Sequence, residues 1–273
     1  MIDLVHKLPD LDQRLFELLE GRSAEDWNRS TVARLWQVKD VAAHLLDGNI
    51  RVLSMLRDRH YTEAPEINSY QGLVDHLNQL NADWVQAMKR VSPRILLELL
   101  KVTGPPYCAY YASLNPLAKA EWAVAWAGEE ESTNWMHIAR EYTEKFLHQQ
   151  QIRDAVDQQG IMTEDFYLPF LEVCMYALPY SLRKISAAPD SILKMEITGK
   201  VSGEWFVRFT GYHWERTTPP FSIDPVAVVS INYYASWKLF SKSLRPTDLK
   251  DQISIQGDQR LGNAAAEMVA FMA

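Results

Sequence analysis

Only two cysteines, Cys108 and Cys174, occur in 273 residues. They are too few for a disulfide framework and lack the CxxC spacing of a redox or metal-binding motif. Both read as buried, inert thiols, with a reactive Cys108 as the alternative. Basic residues are in deficit: 28 Lys and Arg stand against 35 Asp and Glu, for a formal charge of −7 and a pI near 5.5. A nucleic-acid groove needs a basic stripe, so DNA and RNA are poor partners for this chain. No apolar run approaches the roughly 18 residues that span a bilayer, and no positively charged start leads into an apolar segment of the secretory kind. The expected location is the cytoplasm, with no membrane partner. Internal repeats and low-complexity segments are also lacking.

What is present is the material of a globular protein. Hydrophobic residues make up 47% and charged residues 23%, enough for a real core and against extended disorder. The length suits two domains. Nine tryptophans and twelve tyrosines are scattered along the chain instead of forming a stacking motif, so they read as core or pocket wall.

Apolar positions recur at three and four through the first 160 residues, the period of a helix. Residues 10–20 form an amphipathic helix stopped by Gly21. Ser23-Ala-Glu-Asp26 matches a capping box before a short turn bearing Trp27. A long helix is expected from Gln37 to His60, with Val41, Leu45, Val52 and Leu56 buried and His44 at the edge of that stripe. Gly48, one turn on, removes bulk where a neighbour or ligand can approach. A third helix spans Ser69 to Arg90. Pro93 opens another that should end at Gly104-Pro-Pro106, and the fourth bundle helix runs from Thr133 to Val156 with Ser132 or Thr133 as cap. Residues 117–131 read as an extended or short helical connection. Gln158-Gln-Gly160 is the best domain boundary. Beyond it a helix over 164–185 is followed by a hairpin of Ile192–Ile197 and Glu204–Thr210 turned by Gly199 and Gly203. A strand at Val226–Ile231, a helix over Tyr233–Leu244, a strand at Gln252–Gln256 and a helix from Gln259 to Met272 complete an α+β second domain. The expected division is 1–160 and 161–273.

Glu144 and His148 stand four residues apart, which places a carboxylate and an imidazole one turn from each other on a helix, with Cβ atoms roughly 5–6 Å apart. Residues 137, 141, 144, 148, 152 and 155 share that strip, so His137, Glu141, Glu144, His148, Ile152 and Ala155 point broadly one way. The passage from polar to apolar suits a pocket wall, although the His and Glu pair is also compatible with a surface hydrogen bond. His44 lies among Val and Ala, where an unpaired imidazole is costly to bury. It is either a core histidine bonded to a carbonyl or a third ligand. Two His and one Glu form a set typical of zinc sites that keep a fourth position open. Asp47, one turn past His44, reads either as an acceptor orienting a ligand or as a surface carboxylate.

The run Trp36-Gln-Val-Lys-Asp-Val-Ala-Ala-His-Leu-Leu-Asp47, taken with Arg140-Glu-Tyr-Thr-Glu-Lys-Phe-Leu-His-Gln-Gln-Gln-Ile-Arg-Asp154, resembles the N-terminal domain of mycothiol-dependent maleylpyruvate isomerases. These form a branch of the DinB-like four-helix superfamily, and the likeness covers residues 1–157. It implies a divalent metal, most often zinc, held by His44, Glu144 and His148. The C-terminal half, with Ile253-Ser-Ile-Gln-Gly-Asp258 and a closing helix, is similar to the sterol carrier protein-like domain that often follows. The implied fold class is α + (α+β): a DinB-like four-helix bundle, then a small α+β sterol carrier-like domain.

The resemblance further implies a low-molecular-weight thiol, mycothiol in the family, as cosubstrate at or near the metal, with a small electrophile as substrate. Isomerase and S-transferase chemistry both follow from such a thiolate. Arg140 and Arg153 can hold carboxylates of substrate or thiol, or can pair with Glu144 or Asp154. Trp205, Trp214 and Trp237 of the second domain either close over the metal pocket or belong to the core. Two other classes stay open: a carrier of an apolar ligand on a metal-stabilised scaffold, and a DinB-like hydrolase whose metal activates water. Oligomeric state is undetermined by the sequence.

Overall fold

The computed structural model describes residues 2–61, 67, 69–218 and 223–271. Two compact units emerge: Met1–Ala118 with Glu144–Ile161, and Lys119–Thr143 with Met162–Ala273. One seam, at Ile161/Met162, lies a residue from the expected boundary. Residues 119–143, expected in the first domain, group with the second unit instead. Their contacts explain this: Tyr142 donates its hydroxyl to the Phe166 carbonyl at 2.6 Å, and the Trp135 and Tyr176 rings lie 5.4 Å apart. Gly and polar residues mark where a chain turns, and say nothing about which unit a connecting segment packs on.

In the first unit, α1 (Lys7–Leu19), α2 (Ala24–Trp27), α3 (Val38–Arg51), α4 (Tyr70–Met88), α5 (Pro93–Ala112) and the C-terminal half of α6 (Asn134–Ala155) are helical. Leu15, Leu18, Val41, Leu45, Leu46, Met88, Leu96, Leu100 and Ile152 share one core, so α1, α3, α4, α5 and α6 all contribute to it. Helix α4 lies on α3, where the Trp84 indole donates to the Ala43 carbonyl at 2.8 Å. Gly21 has φ +69°, the left-handed conformation that ends a helix without a Cβ penalty. The reciprocal bonds between Ser23 and Asp26 form at 3.1 and 3.3 Å. Helix α3 continues as a π-helical segment, Val52–Arg57.

The expected stop at Gly104-Pro-Pro106 does not occur: α5 passes through it to Ala112. Prolines there remove backbone donors and should break a helix. Burial decides otherwise, since Tyr107, Cys108 and Tyr111 beyond the prolines all face the interior. Helical phase is what puts them there.

The second unit has a five-stranded sheet in the order β3-β2-β1-β4-β5, from β1 (Ile192–Thr198), β2 (Gly203–Phe209), β3 (Trp214–Thr217), β4 (Ala227–Asn232) and β5 (Ile253–Gly257). Only β1 and β4 pair in parallel. Strand β3 was not expected; its four residues are too few to show alternation, and pairing with β2 makes it an edge strand. The helix expected over 164–185 is two, α7 (Glu164–Cys174) and α8 (Ala177–Ser181). Pro179 has no N–H for the Met175 carbonyl, and Leu178 bonds it instead at 3.3 Å, tightening the turn that parts them.

Helix α9 covers Tyr233–Phe240 and stops short of Leu244, because Lys242 turns the chain out at φ +60°. Helix α10 spans Gln259–Ala266. It ends early as the Ala270 amide leaves the helical pattern for the Phe240 carbonyl, 2.9 Å away; Met272, the expected end, lies outside the described residues. Gly257 precedes it at φ +79°, where a Cβ would come within 2.2 Å of the Val226 carbonyl oxygen. Asp258 then caps α10 by accepting the Arg260 and Leu261 amides. Trp205, Trp214 and Trp237 are buried in this unit, and Trp214 donates to the Ile185 carbonyl at 2.7 Å. Among the described residues, no helix is long and apolar enough to cross a membrane.

Candidate metal centre

Helix α3 starts where the Gln37 amide meets the Asp40 carboxylate at 3.1 Å. Asp40, itself buried, also takes two bonds from Lys89 at 2.6 and 2.8 Å. With Val41, Ala42 and Leu45 thereby turned into the core, His44 falls at the rim and is half-buried. Helix α6 carries the other two groups. Glu144 and His148 meet across one turn, His148 Nε2 lying 3.2 Å from Glu144 Oε2.

Three side chains from two helices converge. His44, Glu144 and His148 each offer one ligand atom, and these atoms lie within 4.8 Å of one another. A tetrahedral zinc with bonds near 2.0–2.1 Å would hold its ligands roughly 3.3–3.4 Å apart. The Glu144–His148 separation of 3.2 Å is already close to this. The two imidazoles stand edge to face at 4.6 Å between ring centroids, and the Trp36 ring covers both, 4.9 Å from His44 and 6.3 Å from His148.

Two further observations test whether this donor set suits a cation. Nδ1 of His44 is buried with no hydrogen-bond partner, which is costly for an imidazole nitrogen unless something binds it. Burial first, then His148 and Arg51, push the His44 pKa well below its ordinary value, so the ring is neutral at pH 7 and keeps a lone pair free. A neutral imidazole with an orphaned nitrogen, facing a second imidazole and a carboxylate, fits a divalent metal.

Asp47 is buried, and its carboxylate lies 3.2 Å from Arg51 Nε. The reading as a surface carboxylate is therefore corrected: leucines and alanines of α3 that seek the core carry Asp47 in with them. Burial raises its pKa and Arg51 opposes that shift. Arg140 donates to Glu141 at 2.6 and 3.1 Å and also contacts His137 Nε2. His137 and Glu141, expected on the same strip, are both buried. Arg153 donates to the Gln149 side chain at 3.1 Å and to the carbonyls of Gln159 and Arg14 at 2.9 and 3.0 Å. Its guanidinium closes the end of α6 and ties it to α1, which leaves little of it for a substrate.

Both cysteines are buried, and they do not form a disulfide. Burial, helped by the Asp12 carboxylate, pushes the Cys108 thiol up to about 12, which disfavours the reactive thiolate that was its alternative reading. Sequence reasoning missed Trp36 and Gln151 as site residues. Gln151 Oε1 sits 2.9 Å from His148 Nδ1, and its place three residues past His148 on the same helix was the signal available.

The family profile described as the mycothiol maleylpyruvate isomerase N-terminal domain matches residues 8–153, more than half of the chain. The chain belongs to the mycothiol maleylpyruvate isomerase N-terminal domain family. All three converging residues of this mycothiol maleylpyruvate isomerase domain lie inside the matched span. Among curated proteins, none matches by sequence. Two crystal structures titled mycothiol-dependent maleylpyruvate isomerase align with 92% of this chain and 91% of theirs. One, a histidine-to-alanine mutant, has 8% identity and a TM-score of 0.55; the other has 10% identity and a TM-score of 0.51. At such identities the likeness is one of fold, a helical part followed by a mixed α+β part. A sterol carrier protein domain 2 of Helicoverpa armigera aligns with 38% of this chain and 84% of its own length, at 20% identity and a TM-score of 0.26, too slight a likeness to characterise the second unit.

Proposed function

We propose that the protein is a metal-dependent isomerase or S-transferase of the maleylpyruvate isomerase type, working with a low-molecular-weight thiol and a small electrophilic substrate. His44, Glu144 and His148 are the proposed metal ligands. The observation that carries this reading is the convergence of their ligand atoms within 4.8 Å, with His44 Nδ1 buried and lacking a hydrogen bond. A zinc ion bound there would deprotonate a thiol whose free pKa is near 8.5, making a thiolate available at neutral pH. Membership of the mycothiol maleylpyruvate isomerase family supports the choice of thiol over water as the activated group.

The chain's own residues have separable tasks. His44 is kept neutral by burial and so presents a lone pair. Glu144 adds a carboxylate beside the two imidazoles, and it remains part-exposed. Trp36 shields both rings from water on one side. Asp47, paired with Arg51, supports the turn of α3 that carries His44. For an isomerase, sulfur adds to the electron-poor double bond of a cis-unsaturated diacid as the neighbouring carbon takes a proton. Rotation about the new single bond, loss of that proton and expulsion of the thiolate leave the trans isomer.

Freshly purified protein should carry about one zinc per chain, and His148→Ala should lose it, as read by elemental analysis. Isomerisation or S-transfer should require added thiol. Metal-free wild-type protein, or turnover indifferent to thiol, would refute the reading.

A further inference from the structure

An amide oxygen only accepts hydrogen bonds, and Gln151 Oε1 lies 2.9 Å from His148 Nδ1. The proton of a neutral His148 ring therefore belongs on Nδ1, and Nε2 is left as a bare lone pair. That lone pair faces Glu144 Oε2 at 3.2 Å. Two acceptors at this distance repel unless a cation lies between them, so a neutral His148 ring bonded to Gln151 is suited to sharing a metal with Glu144. Gln151 is 3% exposed and His148 8%, so water competes little for the contact. A bond at i, i+3 on one helix also needs no tertiary adjustment to form.

We propose that Gln151 is the positioning residue of this centre: it takes the Nδ1 proton of His148 and holds the imidazole in the tautomer and rotation that turn Nε2 toward Glu144 and His44. The inference rests on the metal-binding reading above. Groups that orient a ligating histidine in this way typically change metal affinity 10- to 100-fold when removed.

The test uses the full-length protein with zinc alone, titrated against a chelator of known affinity. Gln151→Leu keeps the volume but not the acceptor, and should bind zinc about 10- to 100-fold more weakly than wild type. Gln151→Glu keeps the acceptor and should bind zinc no more weakly than wild type, since the orienting bond persists and a carboxylate raises the basicity of the ligating ring. Long-range proton–nitrogen NMR of the metal-free wild type, with His148 assigned by its loss in His148→Ala, should show the proton on Nδ1. Should Gln151→Leu fail to fold, the Gln151→Glu titration and the wild-type spectrum decide between the outcomes. Zinc affinity equal in wild type and Gln151→Leu, or a proton on Nε2, overturns the role of Gln151 alone. A wild type that binds no zinc overturns the metal reading and this inference with it.

Discussion

His137 is 2% exposed, and burial, reinforced by Arg140 and opposed by Glu141, lowers its pKa to about 4. In the unfolded chain the ring titrates near 6.5. Between those values the unfolded state binds a proton that the folded state refuses, so stability falls as pH falls from about 6.5 toward 4. The separation corresponds to at most about 3 kcal/mol. Urea unfolding at pH 7 and pH 4 should show His137→Gln losing less stability over the interval than wild type, by up to that amount; parallel losses would contradict it. The three proposed ligands were legible because Glu144 and His148 are bound by helical spacing and His44 by its apolar neighbours. Gln151 was equally local and was passed over, since one glutamine in a run of three carries no visible distinction. Asp47 could not be told from a surface residue, because it lies about 120° from Val41 on the helical wheel, away from the expected apolar stripe.

At the scale of the element, α6 is the anomaly. Glu144, Lys145, His148, Gln149, Gln150, Gln151 and Arg153 give it a polar composition, yet all except Glu144 are buried. Partners on other helices make this tolerable. Lys145 donates to Asp12 of α1 at 2.6 Å and to Asn49 of α3 at 3.1 Å, and lies 4.2 Å from the Tyr107 ring centre of α5. Gln149 donates to the Leu11 carbonyl at 2.7 Å. One ammonium thus joins four helices, and its bond to Asn49 links the two that carry the proposed ligands. Removing one member of a buried pair strands the other charge, at a cost of about 3–5 kcal/mol. Lys145→Met should therefore lose about that much stability by urea unfolding, and adding Asp12→Leu should recover much of it. A single variant as stable as wild type would show that the contact contributes nothing. None of this was readable in advance, because the pair is separated by 133 residues along the chain. The prolines of α5 misled for a related reason: their local cost is real, and burial of Tyr107 and Tyr111 outweighs it.

For the whole molecule, the discontinuous division has consequences for truncation. Residues 119–143 lie between two stretches of the first unit and yet belong to the second. A fragment of residues 162–273 would lose the Tyr142 bond to the Phe166 carbonyl and the packing of Trp135 on Tyr176. It would also lose residues 125–128, where Gly128 lies so close to Tyr180 that a Cβ would come within 2.6 Å of the ring. Such a fragment should melt less cooperatively than the full chain, by thermal circular dichroism, whereas one beginning at residue 119 should recover a sharper transition. Equal melting of the two would mean that the segment is dispensable to the second unit.

Periodicity and capping are local properties, and they determined most of the helices of the first unit, the hairpin of β1 and β2, and the pairing of Glu144 with His148. Charge and composition, also readable from the chain alone, disfavoured a nucleic-acid surface. Tertiary packing decided the rest: whether α5 survived its prolines, where residues 119–143 lodged, and how a polar helix came to be buried. It also decided the approach of His44 to a pair of residues one hundred positions away. The physical reason is that spacing sets which side chains share a face, while only the packing of one helix against another sets which faces meet.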